Sequence, residues 1–276
     1  MSTERQSGLG AAVARNARAV DAALLAAVPL ALAAVFALPE STRAAYVLDY
    51  RAPTAVDMYA SHFVHFGVGH LATNVATYLL AVLPAYGYCV AADRRTDFLV
   101  VFGAVLAAFP YALSWLNVVF VRPSIGYGFS GLAMAYLGFL PVALAAFARE
   151  RLADGVTLDH APLLFFAGAG TVGLLVASSS RLALVVVAVS FGAVAVYARS
   201  LWLAVGRDGF AAALGRAGDA EFAAAGVVLV LAAPFVAFPA QVAGDGTVLN
   251  TYSHLLGFCL GFLAPYATLR AAVLLD

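Results

Sequence analysis

Residues 127–148 read YGFSGLAMAYLGFLPVALAAFA, with no charged side chain from Tyr127 to Ala148. A helix crosses the hydrocarbon core of a bilayer with about 20 mostly apolar residues, because lipid leaves every backbone polar group to be satisfied internally. Laid along all 276 residues, the same ruler marks eight segments, at 20–38, 69–90, 98–120, 127–148, 161–178, 182–205, 221–240 and 249–271. All 15 Asp and Glu fall in the breaks or at segment edges. The chain is 64% hydrophobic and 11% charged, with mean hydropathy +0.94, whereas soluble domains run to about half apolar and a quarter charged. The expected fold class is therefore all-α, a polytopic transmembrane helix bundle. It forms a single membrane domain over 1–276 with a short cytoplasmic segment at 1–19. A soluble globular protein, a disordered chain and a nucleic-acid binder are excluded.

The fifth and sixth segments are parted only by Ser178, Ser179, Ser180 and Arg181. One continuous helix there would far exceed a bilayer, so two helices and a tight turn are expected. Arginine placement sets the orientation. With the N-terminus in the cytoplasm, Arg43, Arg51, Arg122 and Arg181 lie outside and the other eleven arginines lie inside. That split predicts an even number of spans and both termini cytoplasmic, in a multi-pass protein of the cell membrane. The apolar run from Ala22 to Leu38 is long for a signal peptide and reads as an uncleaved first span. The loop 39–68, with Tyr46, Tyr50, Tyr59, Phe63 and Phe66, suits an element partly sunk among headgroups. Net charge is +0, so no strong field steers a charged partner. Cys89 and Cys259 both sit in apolar stretches and read as small buried hydrophobes.

Polar side chains inside spans are costly, which makes them informative. Three clusters stand out. His70 and Asn74 are four apart at the start of the second span, one above the other on a helix face. Ser130 opens the fourth span between Gly128 and Gly131, glycines that let another backbone come close to its hydroxyl. His254 opens the last span, one turn from Gly257, with Gly261 four further on along a smooth face. Each cluster alone also fits helix-to-helix hydrogen bonding or small-residue packing. In the orientation above, however, the second, fourth and eighth spans run the same way. Their clusters then share one depth, on the order of 5–8 Å below the outer helix mouths at 1.5 Å rise per residue.

A serine hydroxyl needs a base to become a nucleophile, and histidine is the usual base near neutrality. Ser130 and His254 make such a pair if their helices touch. No Asp or Glu lies within a span to orient the imidazole, so the arrangement is a dyad rather than a triad. The Asn74 amide, the His70 ring N–H and the Ser130 backbone N–H are candidate donors to an oxyanion. In an apolar setting the target is a backbone amide. No His is followed by Glu, so a His-Glu-x-x-His metal site is absent from the sequence. No metal or other cofactor is expected.

The spacing His65-x4-His70-x3-Asn74, then Gly128-Phe-Ser130-Gly131, then Ser253-His254-x2-Gly257-x3-Gly261, resembles the rhomboid intramembrane serine proteases. The resemblance implies cleavage of transmembrane or membrane-anchored proteins near their outer ends. By match, Ser130 is the nucleophile, His254 the general base, and His70 and Asn74 the oxyanion-stabilising pair. His65 matches a further histidine whose role is open. The match covers about forty residues. It departs from the family in having three spans, not one, between the serine and histidine helices, so a rhomboid-like six-span core carries two extra. An aromatic the family often places four residues after the serine is Met134 here, with Tyr136 off that face. The family's Trp-Arg pair in the first outer loop is at best Tyr50-Arg51. Two rivals follow: an inactive rhomboid-like protein that binds membrane clients, and a small-molecule transporter. The first conflicts with the retained Ser130 and His254, the second with a polar level near one face and no internal repeat.

Overall fold

The computed structural model describes residues 8–119, 124–176, 181–238, 243–244 and 247–275. Among these, α1 (Leu9–Asn16) and α2 (Ala19–Phe36) precede a long loop that holds α3 (Glu40–Ala44), β1 (Leu48–Asp49) and α4 (Ala55–Ala60). Then follow α5 (Val68–Ala91), α6 (Arg95–Ala107), α7 (Phe109–Val118), β2 (Ile125–Gly126) and α8 (Ser130–Arg151). The chain continues with α9 (Ala161–Val176), α10 (Arg181–Leu214), α11 (Asp219–Ala237), β3 (Ala243–Gly244), β4 (Thr247–Val248) and α12 (Thr251–Leu275). Seven helices are long and apolar enough to cross a membrane, and the pair α6–α7 makes an eighth if taken as one bent span. This is a multi-pass membrane protein built as an all-α bundle.

The expected third span, 98–120, is the one that breaks. It becomes α6 and α7, bent by 43°. The cause is local: Pro110 has no N–H for the ladder, and its ring crowds the carbonyl one turn back. The fifth and sixth spans are separate helices, with the turn at 178–180, Arg122 and the 239–240 end of the seventh span outside the described residues. The two form an antiparallel pair, since a Cβ on Gly170 would meet Phe191 at 3.0 Å and Phe166 stacks on Tyr197 at 6.1 Å. Gly206, at φ 68, breaks α10 where the sixth span was expected to end.

The helix α8 is the axis of the bundle and is buried along almost its whole length. Against α5 it packs parallel, with Tyr78 edge-on to Tyr136 at 5.5 Å and, further along, Tyr88 against Phe147 at 5.2 Å. Against α12 it also packs parallel, through glycine. A Cβ on Gly257 would run into the Gly131 carbonyl oxygen, and one on Gly261 into that of Ala135. Gly138 meets the Phe258 backbone from the other side. Interfaces made of bare backbone let helices approach more closely than Leu or Val permits.

At the far end of the bundle from Ser130 lie two ion pairs, the first half-buried and the second buried. Arg95 grips Asp21 through Nε at 2.8 Å and Nη2 at 2.5 Å, and the Tyr86 hydroxyl donates to the same carboxylate. Arg151 at the end of α8 holds Asp219 at the start of α11 with Nη2 at 3.0 and 3.1 Å from the two oxygens. Asp219 falls between the expected sixth and seventh spans; it is the first residue of α11 and is buried because Arg151 pairs with its carboxylate. The expected N-terminal segment is not loose either. Ala12 is buried and Asn16 Nδ2 donates to the Val90 carbonyl at 3.0 Å.

Candidate active site

The three polar clusters converge at one end of the bundle. Ser130 is the first residue of α8, so its backbone N–H is among those that a helix start leaves without an intrahelical partner. Two residues earlier, Gly128 has φ 106 and donates its N–H to the Ser61 carbonyl at 2.9 Å. A Cβ there would lie 2.9 Å from His70 Nε2, 2.8 Å from its Cε1 and 3.5 Å from Asn74 Nδ2. Glycine is thus required at 128 for both its backbone angle and its empty volume. It brings the chain entering α8 directly against His70 and Asn74.

His65 organises that pair. Its Nε2 lies 2.6 Å from Asn74 Nδ2 and 3.5 Å from the Phe129 N–H, while its Nδ1 lies 3.3 Å from the Phe63 carbonyl. The bonds fix the tautomer: Nδ1 carries the proton and Nε2 accepts. One Asn74 N–H is therefore committed to His65, and the second is free of it. The His70 ring stands edge-on to His65 at 4.9 Å. Burial, reinforced by His70 and by Arg43 and opposed by the Phe63 carbonyl, holds the His65 imidazole down to about 4, so it stays neutral and able to accept.

Sequence reading counted Arg43 as an outer-loop charge, but the fold buries it. Its guanidinium lies 4.8 Å from the Phe36 ring centre and 5.5 Å from that of Phe66. It donates to the Leu38 carbonyl at 3.1 Å and also to the His65 carbonyl. Tyr50, expected at the interface, is buried as well, and Asn250 Nδ2 lies 3.2 Å from its hydroxyl. His62, which the sequence did not single out, has Nε2 at 3.0 Å from both the Pro110 carbonyl and Ser114 Oγ. The long loop between α2 and α5 thus turns Arg43, Tyr50, His62 and His65 inward beneath the site, while much of the rest of it stays exposed.

From the other side, α12 delivers His254. The contact of Gly257 with the Gly131 carbonyl sets the distance between the two helices one turn from the imidazole. The His254 Nδ1 lies 2.8 Å from the Ala237 carbonyl, and its Nε2 is buried with no hydrogen-bond partner among the described residues. Ser130 and His254 are thus brought to the same level without being hydrogen-bonded to each other. The aromatic neighbour of His254 comes not from α8, where Met134 sits buried and Tyr136 bonds the Phe102 carbonyl at 3.2 Å. It is Phe238, edge-on at 6.0 Å and 89°.

No group of three or more metal-ligating side chains occurs among the described residues. A hollow of about 500 Å³ lies elsewhere, between Leu144, Leu152, Leu164, Val205 and Phe210, and is almost wholly apolar. Comparison with protein-family models, curated proteins and solved structures finds no match for this chain.

Proposed function

We propose that this chain is a rhomboid-like intramembrane serine endopeptidase that cleaves transmembrane or membrane-anchored proteins near the outer face. Ser130 Oγ attacks the scissile carbonyl while His254 Nε2 takes the hydroxyl proton. The Asn74 amide, the His70 ring and the Ser130 backbone N–H receive the negative charge on the carbonyl oxygen. The proton on His254 passes to the leaving amine, and a water, deprotonated by the same nitrogen, then frees the acyl group from Ser130. No cofactor takes part. The orientation that goes with this reading has the site open outward and both termini in the cytoplasm.

The observation that carries the reading is the unpartnered His254 Nε2, buried on a helix whose glycine abuts the carbonyl of the residue after Ser130. A buried imidazole nitrogen without a partner is costly in a purely structural histidine, and a base that must receive a proton explains it. The test is labelling by a fluorophosphonate probe together with cleavage of a reporter membrane helix. Both are expected in the intact chain and absent in Ser130→Ala and His254→Ala, with the variants folded. Undiminished labelling or cutting by Ser130→Ala removes Ser130 from the mechanism. An intact chain that neither labels nor cuts, yet retains a reporter helix, favours the client-binding alternative.

A further inference from the structure

A serine–histidine dyad lacks the acid that, in a triad, holds the imidazole in one tautomer and steadies the cation formed when it takes a proton. No Asp or Glu contacts His254 among the described residues; its Nδ1 faces a carbonyl instead. That carbonyl belongs to Ala237, the last residue of α11. The last four carbonyls of any helix have no partner within it. They also carry the negative end of the helix dipole, equivalent to roughly half an elementary charge. Phe238, the next residue, is buried and stands perpendicular to the imidazole. Its own N–H is tied back to the Pro234 carbonyl at 2.9 Å, which fixes the helix end that presents both groups.

We propose that the C-terminus of α11 does for His254 what a carboxylate does in a triad, with the Ala237 carbonyl accepting from Nδ1 and Phe238 as a positioning residue that bars rotation of the ring. The inference rests on reading His254 as the base. A ring turned over about its Cβ–Cγ bond would lose the Ala237 acceptor and aim carbon, not nitrogen, at the serine. Phe238, buried and perpendicular to the imidazole with 6.0 Å between ring centres, is the aromatic wall beside which such a turn would have to be made. When His254 takes the serine proton, the negative end of α11 lies against the new charge, and no ionised side chain has to be buried in the membrane for that purpose. The sequence gives no sign of this, because the acceptor is a backbone group and Phe238 is one aromatic among many.

The test reads tautomer and turnover together on the full-length protein in detergent. Uniform ¹⁵N-histidine labelling, with His254→Gln to assign the resonance, should show a protonated Nδ1 and a bare Nε2 at His254. Phe238→Ala should give tautomers in exchange and lower turnover of a reporter membrane helix by roughly 10- to 100-fold, the scale of loss from small misplacement of a reacting group, at unchanged half-saturation. Phe238→Trp should keep one tautomer and most of the turnover. If Phe238→Ala does not fold, Phe238→Leu takes its place with the same expectation. A single unexchanging Nδ1–H form in the ring-deleted variant, or a protonated Nε2 in the intact chain, overturns the proposal. An intact chain with the expected tautomer but no turnover overturns the hydrolase reading and leaves the positioning of His254 standing, so the two failures are distinct.

Discussion

Asn74 Nδ2 and His65 Nε2 lie 2.6 Å apart, which makes the earlier histidine the anchor of the candidate oxyanion donor. Removing Asn74 removes the donor itself. Asn74→Ala is expected to lower turnover by on the order of 10- to 1000-fold, as loss of one such donor does. His65→Ala leaves the amide in place but unheld, so its loss should be smaller, with half-saturation unchanged. Steady-state kinetics on a reporter membrane helix checks both; a His65→Ala enzyme slower than Asn74→Ala would assign His65 a larger part than anchoring.

Gly257 has no room for a side chain. Gly257→Ala drives a methyl into the Gly131 carbonyl, so α12 must move off α8 and carry His254 with it. Overpacking of this kind costs about 1–3 kcal/mol. The expected result is a lowered thermal midpoint and loss of fluorophosphonate labelling. A variant that labels as fast as the intact chain contradicts the close approach of the two helices.

The Arg151–Asp219 pair pins the end of α8 to the start of α11, with both side chains almost fully buried. Breaking a buried pair from one side leaves a charge without its partner and costs about 3–5 kcal/mol, while replacing both by apolar residues is often nearly neutral. Arg151→Met and Asp219→Leu should each lower the thermal midpoint strongly, and the double variant should recover most of the loss. Additive losses, with the double variant as unstable as the two single changes summed, would show that the two side chains act independently.

Acid should destabilise the fold through two buried histidines of the loop before α5, His62 and His65. Burial, opposed by the Pro110 carbonyl, holds His62 down to about 4, and His65 sits at the same value against an ordinary 6.5. Between 6.5 and about 4 the unfolded chain binds protons there that the folded chain refuses, so stability falls as pH drops through that window. Thermal midpoints in detergent, measured across the window, should decline, and a His62→Asn, His65→Asn double variant should flatten the slope. A slope unchanged by the double variant would trace the decline to other groups.

Much of the fold was legible because a bilayer leaves few solutions. Apolar length gave the helices, and the shared direction of the second, fourth and eighth spans is what brings Gly128, Ser130 and His254 to one level. Pro110 stood in the sequence, but a bend in an apolar run looks the same as a straight span until the ladder is traced. The burial of Arg43 and Asp219 was hidden for a different reason. Each looks like a loop charge, and only packing at long range reveals that one is roofed by Phe36 and Phe66 and the other is met by Arg151. Phe238 and the Ala237 carbonyl gave no signal, since neither a backbone oxygen nor one phenylalanine among 19 stands out.

The break at Gly206 also bears on how the protein sits among its lipids. Up to Val205, α10 is a straight arm about 37 Å long at 1.5 Å per residue, with most of its side chains facing outward. The surrounding hydrocarbon is only about 30 Å thick. Such an arm has to lean, or draw the acyl chains around it into a thicker collar. A lipid-facing flank of this length meets a thinner bilayer with a steeper lean and a thicker one by standing more upright.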